Sequence, residues 1–184
     1  MMRVIAGTAR RIQLTTPAGM ETRPTTDRIK ETLFNMIQPR LCDCRFLDLF
    51  SGSGAIGIEA LSRGADSAVF VEAGDEAVRC IQKNLSNTKL DSMARVMKTD
   101  VLAAVRSLAD KGEAFDIVFM DPPYGKLWEQ KVLEQIKSTP LIHDDTLIIF
   151  EASLDTDISY IENLGYQINK IKKYKTNMHV FLTL

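Results

Sequence analysis

The sequence predicts one α/β domain with a doubly wound, mostly parallel sheet, and three observations support this. The chain has 184 residues, the usual length of a single domain. From residue 46 onward, short apolar segments alternate with segments of helical periodicity. Turn-forming residues directly follow the apolar segments. Repeated strand–helix units require right-handed crossovers, which place helices on both faces of a parallel sheet.

The first forty residues are predicted to form an arm in front of this sheet. Residues 2–23 alternate without helical period, which is typical of a β-hairpin or an extended segment. A helix then starts after Thr25 or Thr26 as its cap. Apolar residues spaced by four form its predicted buried stripe: Ile29, Leu33 and Ile37. We therefore divide the chain into the arm, residues 1–40, and the α/β domain, residues 41–184.

The α/β domain is predicted to contain five parallel strands followed by an antiparallel pair. The parallel strands are expected at residues 46–50, 67–72, 94–98, 115–120 and 146–151. The helices between them are expected at residues 54–63, at 75–85, from 100 onward and at 127–136. The last two segments have the pattern of antiparallel strands joined by a tight turn: residues 166–174 and 177–184.

Composition excludes several classes of protein and leaves nucleic acid as a candidate partner. Three cysteines form neither an even disulfide framework nor a zinc pattern, and no apolar run approaches the ~18 residues of a membrane span. We expect a cytoplasmic protein, with a monomer favoured, that has no metal and no membrane partner. Residues 1–40 carry seven Lys or Arg against three acids, and residues 164–184 carry four lysines and no acid. These basic ends fit either a polyanion-binding surface or ordinary solvated faces.

A glycine-rich turn separates the first predicted strand from the next helix. Gly52, Gly54 and Gly57 satisfy the GxGxxG pattern, and Glu72 ends the following strand 20 residues after Gly52. This fingerprint fits both a nicotinamide-dependent oxidoreductase and an enzyme that uses S-adenosylmethionine. Asp48 favours the second, because a carboxylate before the glycines repels a pyrophosphate and attracts ammonium and sulfonium charges, directly or through the loop backbone. The simpler alternative is a turn for helix packing, with Asp48 as a cap acceptor.

Acidic residues are predicted at the carboxyl ends of four successive strands. Asp48, Glu72, Asp100 and Asp121 would repel one another unless a cationic or donor-rich group lay between them. Asp100 is placed to accept the adenine amino group while the Val101 amide donates to a ring nitrogen, although a plain helix N-cap needs no ligand. The predicted cofactor site comprises Asp48, Phe50, Ser51, Gly52, Gly54, Glu72, Asp100 and Val101.

The most specific signal is Asp121-Pro122-Pro123-Tyr124, directly after the fourth strand. The two prolines fix φ and remove two backbone donors, so neither a strand nor a helix continues. The Asp121 carboxylate and the Pro122 carbonyl can bind the two hydrogens of a nucleobase amine, and Tyr124 can stack on the base. Catalysis would then rest on positioning and electrostatics. A rigid turn is the alternative, and an oxidoreductase leaves this motif unexplained.

These motifs resemble those of the amino-group methyltransferases of DNA and RNA. The segments 23–28 (RPTTDR), 31–35 (ETLFN) and 58–64 (IEALSRG) resemble specifically the bacterial 16S rRNA guanine-N2 methyltransferases of the RsmD-like family. The resemblance implies a Rossmann-like class I methyltransferase with a seven-stranded mostly parallel sheet, an antiparallel C-terminal strand and a small N-terminal hairpin arm. It also implies S-adenosyl-L-methionine as methyl donor and a guanine in 16S rRNA of the small ribosomal subunit as acceptor.

The basic residues at both ends are the predicted RNA contacts: Arg10, Arg11, Arg23, Arg28, Lys173 and Lys175. Two departures from the family's pattern fall in these parts. Arg10-Arg11-Ile12 stands where Arg-Gly-Arg is usual, and Tyr174-Lys175 stands where Tyr-Gly is usual. A DNA adenine-N6 or cytosine-N4 methyltransferase is the sibling alternative, although 184 residues leave no room for a separate DNA-reading domain. A non-catalytic RNA-binding module is the third interpretation.

Overall fold

The computed structural model describes residues 2–17 and 27–184, and the framework of this part is a seven-stranded sheet. The strands are β1 (Arg45–Leu49), β2 (Ser67–Glu72), β3 (Ala94–Lys98), β4 (Ile117–Met120), β5 (Leu147–Ser153), β6 (Gln167–Lys173) and β7 (Asn177–Thr183). Their spatial order is β3-β2-β1-β4-β5-β7-β6. Strands β1 to β5 are parallel, and β7 is antiparallel to both of its neighbours. The predicted doubly wound sheet is confirmed.

Helices cover both faces of this sheet. They are α1 (Asp27–Ile37), α2 (Ala55–Ser62), α3 (Asp75–Thr88), α4 (Val101–Asp110), α5 (Trp128–Ile136) and α6 (Tyr160–Asn163). Buried residues of α1, α2 and α3 share one apolar core, and those of α4, α5 and α6 share the other. After β3 the chain returns to the other side of β1, which opens a crevice between the carboxyl ends of β1 and β4. In open α/β sheets such a switch point is where ligands bind.

Most predicted elements are present, with shifted ends. The predicted bounds of β2 and β3 are correct, whereas β5 runs two residues further, to Ser153. The four-residue helix α6 and the short 3₁₀ turns Gln38–Arg40 and Asp91–Met93 were not predicted. Such short elements contain too few residues to show a period. Helix α3 continues for three residues past its predicted end and closes at Lys89, whose φ of 58° is left-handed.

The buried face of α1 differs from the predicted stripe. Leu33 and Ile37 are buried as predicted, but Ile29 is only half-buried and Lys30 is completely buried. The Lys30 ammonium donates to the carbonyl of Arg3 at 2.5 Å and lies 3.1 Å from a carboxylate oxygen of Glu59 on α2. A pattern that counts only apolar residues misses a lysine whose charge is neutralised inside the protein. The predicted caps Thr25 and Thr26 lie outside the described residues.

The N-terminal arm begins as a hairpin docked along α2. Arg3 and Gln13 form its antiparallel bridge. Glu59 accepts hydrogen bonds from two backbone amides of the hairpin, those of residues 5 and 6, at 2.8 and 3.0 Å. Gly7, with φ of 84°, lies so close to the carbonyl of Ser62 that a Cβ would overlap it. The hairpin is therefore fixed to the helix that follows the glycine loop.

Candidate active site

Four acidic residues lie along one edge of the sheet. The strands β3, β2, β1 and β4 are adjacent and parallel, so Asp100, Glu72, Asp48 and Asp121 lie at or near neighbouring carboxyl ends. The register pairs the last residue of β1 with the last residue of β4. Phe50 and Asp121, which come next in sequence, therefore leave the sheet side by side at the switch point. The glycine loop and the Asp-Pro-Pro-Tyr segment form the two walls of one crevice.

The glycine loop between β1 and α2 is built on left-handed residues. Phe50, Gly52 and Gly54 have φ of 61°, 55° and 77°. A Cβ on Gly52 would meet no atom within 4 Å, so the backbone there is open to a ligand. A Cβ on Gly57 would instead lie 2.4 Å from the ring of Phe70. The glycines thus have separate functions, ligand access at Gly52 and close contact between helix and sheet at Gly57.

Asp48 lies beneath this loop rather than on its surface. It is 1 % exposed, and its carboxylate accepts a hydrogen bond from the amide of Gly57 at 3.0 Å. The hydroxyl of Ser51 donates to the backbone carbonyl of Asp48 at 2.6 Å. Burial raises the pKa of Asp48 to about 7; the Gly57 hydrogen bond lowers it, and the charge of Glu72 raises it further. This geometry favours an effect on a cofactor through the loop backbone over direct contact.

Glu72 and Asp100 are held in place by backbone amides. Glu72 accepts from Gly52 at 2.9 Å and from Gly74 at 2.8 Å, which ties its carboxylate to the mouth of the glycine loop. Each carboxylate oxygen has a second lone pair with which to bind a ribose hydroxyl. Asp100 caps α4 by accepting from the amide of Ala103 at 3.0 Å. Asp100 is therefore the N-cap of α4, and this hydrogen bond holds its side chain beside the Val101 amide.

The Asp-Pro-Pro-Tyr segment leaves β4 as a short, partly buried shelf. Asp121 is half-buried, Pro122 is buried and Pro123 is exposed. Phe50, in the opposite wall of the crevice, packs edge-on against Trp128 of α5 with ring centres 5.9 Å apart. That contact joins the glycine loop to the helix that follows the shelf.

Tyr124 is anchored by a buried polar network that the sequence analysis missed. Its hydroxyl donates to Glu151 at 2.9 Å, and Asn177 donates to the same carboxylate oxygen at 2.7 Å. The other oxygen lies 3.1 Å from Nε2 of His179, whose Nδ1 lies 3.1 Å from the hydroxyl of Tyr174. Burial alone would raise the pKa of Glu151, but the hydrogen bonds from His179, Tyr124 and Asn177 outweigh it and hold that pKa below its usual value.

A signal for this network was present in the sequence. Glu151 follows four apolar residues of β5, and His179 stands between Met178 and Val180 in β7. Asp48 is likewise a charged residue inside an apolar strand. Strand β7 pairs Glu151 with His179, a neighbour that no spacing along the chain reveals.

The predicted RNA contacts at the C-terminal end lie beside the crevice. Lys173 ends β6, and Lys175 lies in the turn to β7; both are exposed. Because β7 is antiparallel to β5 and to β6, this turn is at the same edge of the sheet as Asp121. The structure brings these two lysines near the shelf.

The predicted RNA contacts at the N-terminal end lie in a different part of the molecule. Arg10 and Arg11 are exposed in the hairpin turn, which bonds to Ser62 at the C-terminal end of α2. An eight-residue helix is about 12 Å long, so they lie about that far from the glycine loop at its other end. Arg28 is exposed on α1, and Arg23 lies outside the described residues.

Two absences concern only the part of the chain that the structure describes. No helix in residues 2–17 and 27–184 has the length and hydropathy needed to cross a bilayer. Within the same ranges, no three His, Cys, Asp or Glu side chains are grouped to bind a metal ion.

A family model described as Conserved hypothetical protein 95 matches residues 2–183. Ribosomal RNA small subunit methyltransferase D of Escherichia coli K12 is 36% identical over 157 residues, which are 85% of this chain and 77% of that protein. The chain belongs to the RsmD family. A hypothetical protein of Thermus thermophilus has a related solved structure, with a TM-score of 0.83, 30% identity and complete coverage of both chains.

The RsmD-family chain also shares its fold with more distant proteins. A structure described as a methyltransferase complexed with S-adenosylhomocysteine has a TM-score of 0.68 at 14% identity, covering 82% of this chain and 49% of that one. At that identity the likeness concerns the fold alone. The predicted class I methyltransferase fold and the predicted enzyme class, a methyltransferase, are confirmed.

Proposed function

We propose that this RsmD-family protein transfers a methyl group from S-adenosylmethionine to the N2 amine of a guanine in 16S rRNA of the small ribosomal subunit. The observation that carries the proposal is the Asp-Pro-Pro-Tyr shelf facing the open glycine loop across one crevice. Further support comes from the Escherichia coli relative, which is named for methylation of small-subunit ribosomal RNA. Within this proposal the enzyme acts as a cytoplasmic monomer.

The residues of the crevice suit the methyl donor. Gly52 leaves room for close backbone approach, Glu72 offers acceptors for ribose hydroxyls, and Asp100 with the Val101 amide offers an edge for adenine. S-adenosylmethionine, when bound, would supply an electrophilic methyl group on a sulfonium and leave as S-adenosylhomocysteine, while the methylated amine would release one proton to solvent. The buried charge of Asp48 favours the cationic groups of this cofactor through the loop that it supports.

The shelf positions the nucleophile. A nucleobase amine is weakly nucleophilic because its lone pair is delocalised into the ring. The Asp121 carboxylate and the Pro122 carbonyl accept the two amine hydrogens and favour a pyramidal nitrogen whose lone pair points into the crevice. Tyr124 stacks on the base, and its hydroxyl bond to Glu151 limits the rotation of its ring. The base must be unpaired or extruded, since a stacked base cannot present its amine to this crevice.

The test is tritiated-methyl transfer from labelled S-adenosylmethionine to small subunits and to naked 16S rRNA, both from a strain that lacks this activity. Nucleoside analysis of the product should yield N2-methylguanosine. Genomic DNA is the parallel substrate. N6-methyladenine or N4-methylcytosine in DNA, with no label in rRNA, would overturn the proposal in favour of a DNA enzyme. Binding of S-adenosylhomocysteine without any methyl transfer would indicate a binding module.

A further inference from the structure

The network behind Tyr124 gives the buried polar residues of β5 and β7 a function in methyl transfer. We propose that Glu151 and His179 are positioning residues that fix the Tyr124 ring against the base and link it to the basic turn between β6 and β7. This inference rests on the proposed function for the stacking role of Tyr124. The hydrogen bonds themselves stand on the geometry alone.

The burial of this pair calls for an explanation beyond packing. Glu151 is 4 % exposed and His179 is 0 % exposed, while the residues on either side of each in its strand are apolar. Burying a carboxylate is costly unless it is paired and hydrogen-bonded. Here one oxygen serves Tyr124 and Asn177, and the other serves His179. If these two positions only packed β5 against β7, apolar side chains would stabilise the pair of strands equally well.

The position of the network also fits a positioning role. Tyr124 follows two prolines on a shelf outside the sheet, and its side chain is half-buried. Its hydroxyl reaches back 2.9 Å to a carboxylate fixed in β5. Stacking on Tyr124 raises the rate most when the ring is already held in the stacking orientation before RNA binds. The conformational entropy of the ring is then lost during folding and not during the reaction.

The far end of the network lies among the lysines predicted to bind RNA. The hydroxyl of Tyr174 bonds to Nδ1 of His179, and Tyr174 stands in the turn between Lys173 and Lys175. With Nε2–H donated to Glu151 and Nδ1 accepting from Tyr174, one neutral histidine tautomer satisfies both contacts. The chain of contacts therefore runs from the basic turn to the ring that would meet the base.

Four variants test the proposal. Tyr124→Phe removes the hydroxyl and keeps the ring. Glu151→Leu removes the acceptor, while Glu151→Gln keeps an oxygen for Tyr124. His179→Phe keeps the edge-to-face contact with Phe119, whose ring centre lies 6.0 Å away, and removes both hydrogen bonds. The exposed Glu162→Leu is the control for loss of a glutamate.

The first readout is the single-turnover rate at saturating RNA, with S-adenosylhomocysteine affinity and the melting temperature measured in parallel. Tyr124→Phe and Glu151→Leu should each lower the rate about tenfold, the size of one hydrogen bond to a charged group. His179→Phe should lower it less, and Glu151→Gln should restore most of it. The double variant Tyr124→Phe/Glu151→Leu should be no slower than either single one. A product of two separate losses would overturn the proposal, as would an unchanged rate in Glu151→Leu.

The second readout needs no substrate. With 3-fluorotyrosine at the four tyrosines, the ¹⁹F resonance that disappears in Tyr124→Phe reports the ring at position 124. It should shift and broaden in Glu151→Leu and in His179→Phe, and stay sharp in Glu151→Gln and in the Glu162→Leu control. A sharp, unshifted signal in Glu151→Leu would overturn the positioning role. If the methylated base proves not to be guanine, this result still decides the inference on its own.

Discussion

At the scale of one residue, the buried carboxylate of Asp48 lowers the stability of the fold, and its charge is proposed to favour cofactor binding. Its pKa of about 7 in the folded state is above the ordinary value of 3.8, mainly because of burial. The folded state therefore holds this proton more tightly than the unfolded state does. As pH rises from about 4 to about 7, the free energy of unfolding falls, and the interval corresponds to about 4 kcal/mol. A carboxylate retained at this cost points to a function for its charge.

The substitution Asp48→Asn should separate these two effects. The amide oxygen can still accept from Gly57, but no charge is buried. We expect the variant to melt at a higher temperature than the wild type at pH 8, with a smaller difference at pH 5, and to bind S-adenosylhomocysteine more weakly at pH 8, where Asp48 is ionised, but not at pH 5, where it is protonated. Thermal unfolding at the two pH values and calorimetric titration would measure this. A variant equally destabilised at both pH values would show that the folded protein stabilises the ionised form.

Asp121 should affect the rate of methyl transfer and leave cofactor binding unchanged. Removing a preorganised electrostatic contact in Asp121→Ala should lower the single-turnover rate by about 100-fold or more. Asp121→Asn keeps one acceptor oxygen and should lose less. Titration with S-adenosylhomocysteine is the control, because the glycine loop and Glu72 are untouched. Near wild-type turnover in Asp121→Ala would contradict the role of the shelf.

At the scale of elements, apolar patterning was enough for the sheet and insufficient for the arm. Strands β1, β2, β4 and β5 are largely buried, so their mainly apolar segments indicate strands without further information, whereas the edge strand β3 is only half-buried and carries exposed Arg95 and Lys98. Helix α1 is different, because its buried face includes Lys30, which is neutralised by Glu59 from another element. Gly7 likewise owes its place to Ser62, 55 residues further along the chain. Contacts of this kind have no local signal.

The arm should therefore depend on the carboxylate that holds it. Glu59 accepts from two hairpin amides and pairs with Lys30 and Arg63, at 3.1 and 2.8 Å. Glu59→Ala leaves the buried ammonium unpaired and should lower the free energy of unfolding by about 3–5 kcal/mol. Lys30→Met removes that charge while Arg63 still pairs with Glu59, so it should cost clearly less. Urea unfolding of both variants gives the comparison; equal losses would contradict this account.

At the scale of the whole molecule, the sequence predicted the position of the four acidic residues better than the surroundings of Tyr124. Asp48 interrupts a predicted strand near its end, Glu72, Asp100 and Asp121 end or follow one, and the carboxyl ends of parallel strands lie at the same edge of the sheet. The support of Tyr124 comes from Glu151 and strand β7, whose neighbours are set by the strand order alone. From the distribution of charge along the chain, Arg10 and Arg11 were predicted as RNA contacts in the same way as Lys173 and Lys175. The fold places the two pairs in different parts of the molecule.

The basic turn beside the crevice leads to a prediction about the molecule as an RNA-binding surface. Strand β6 is at the edge of the sheet, where lysines also prevent pairing with other chains, so their presence alone does not establish RNA contact. If Lys173 and Lys175 contact phosphates, the double alanine variant should bind 16S rRNA more weakly. The slope of log affinity against log salt should become shallower by about 1 to 2. Its affinity for S-adenosylhomocysteine should be unchanged.

A matched control uses the same loss of charge at the opposite edge of the sheet. Lys89 and Lys111 are exposed at the C-terminal ends of α3 and α4, away from the crevice. Their double alanine variant should keep the wild-type salt slope, because only the position of the charges differs between the two pairs. Equal slopes for both variants would mean that RNA responds to net charge alone. If Arg10→Ala/Arg11→Ala lowers RNA affinity more than the double alanine variant of Lys173 and Lys175 does, the main phosphate contacts are on the hairpin. RNA would then approach along α2 before its base reaches the shelf.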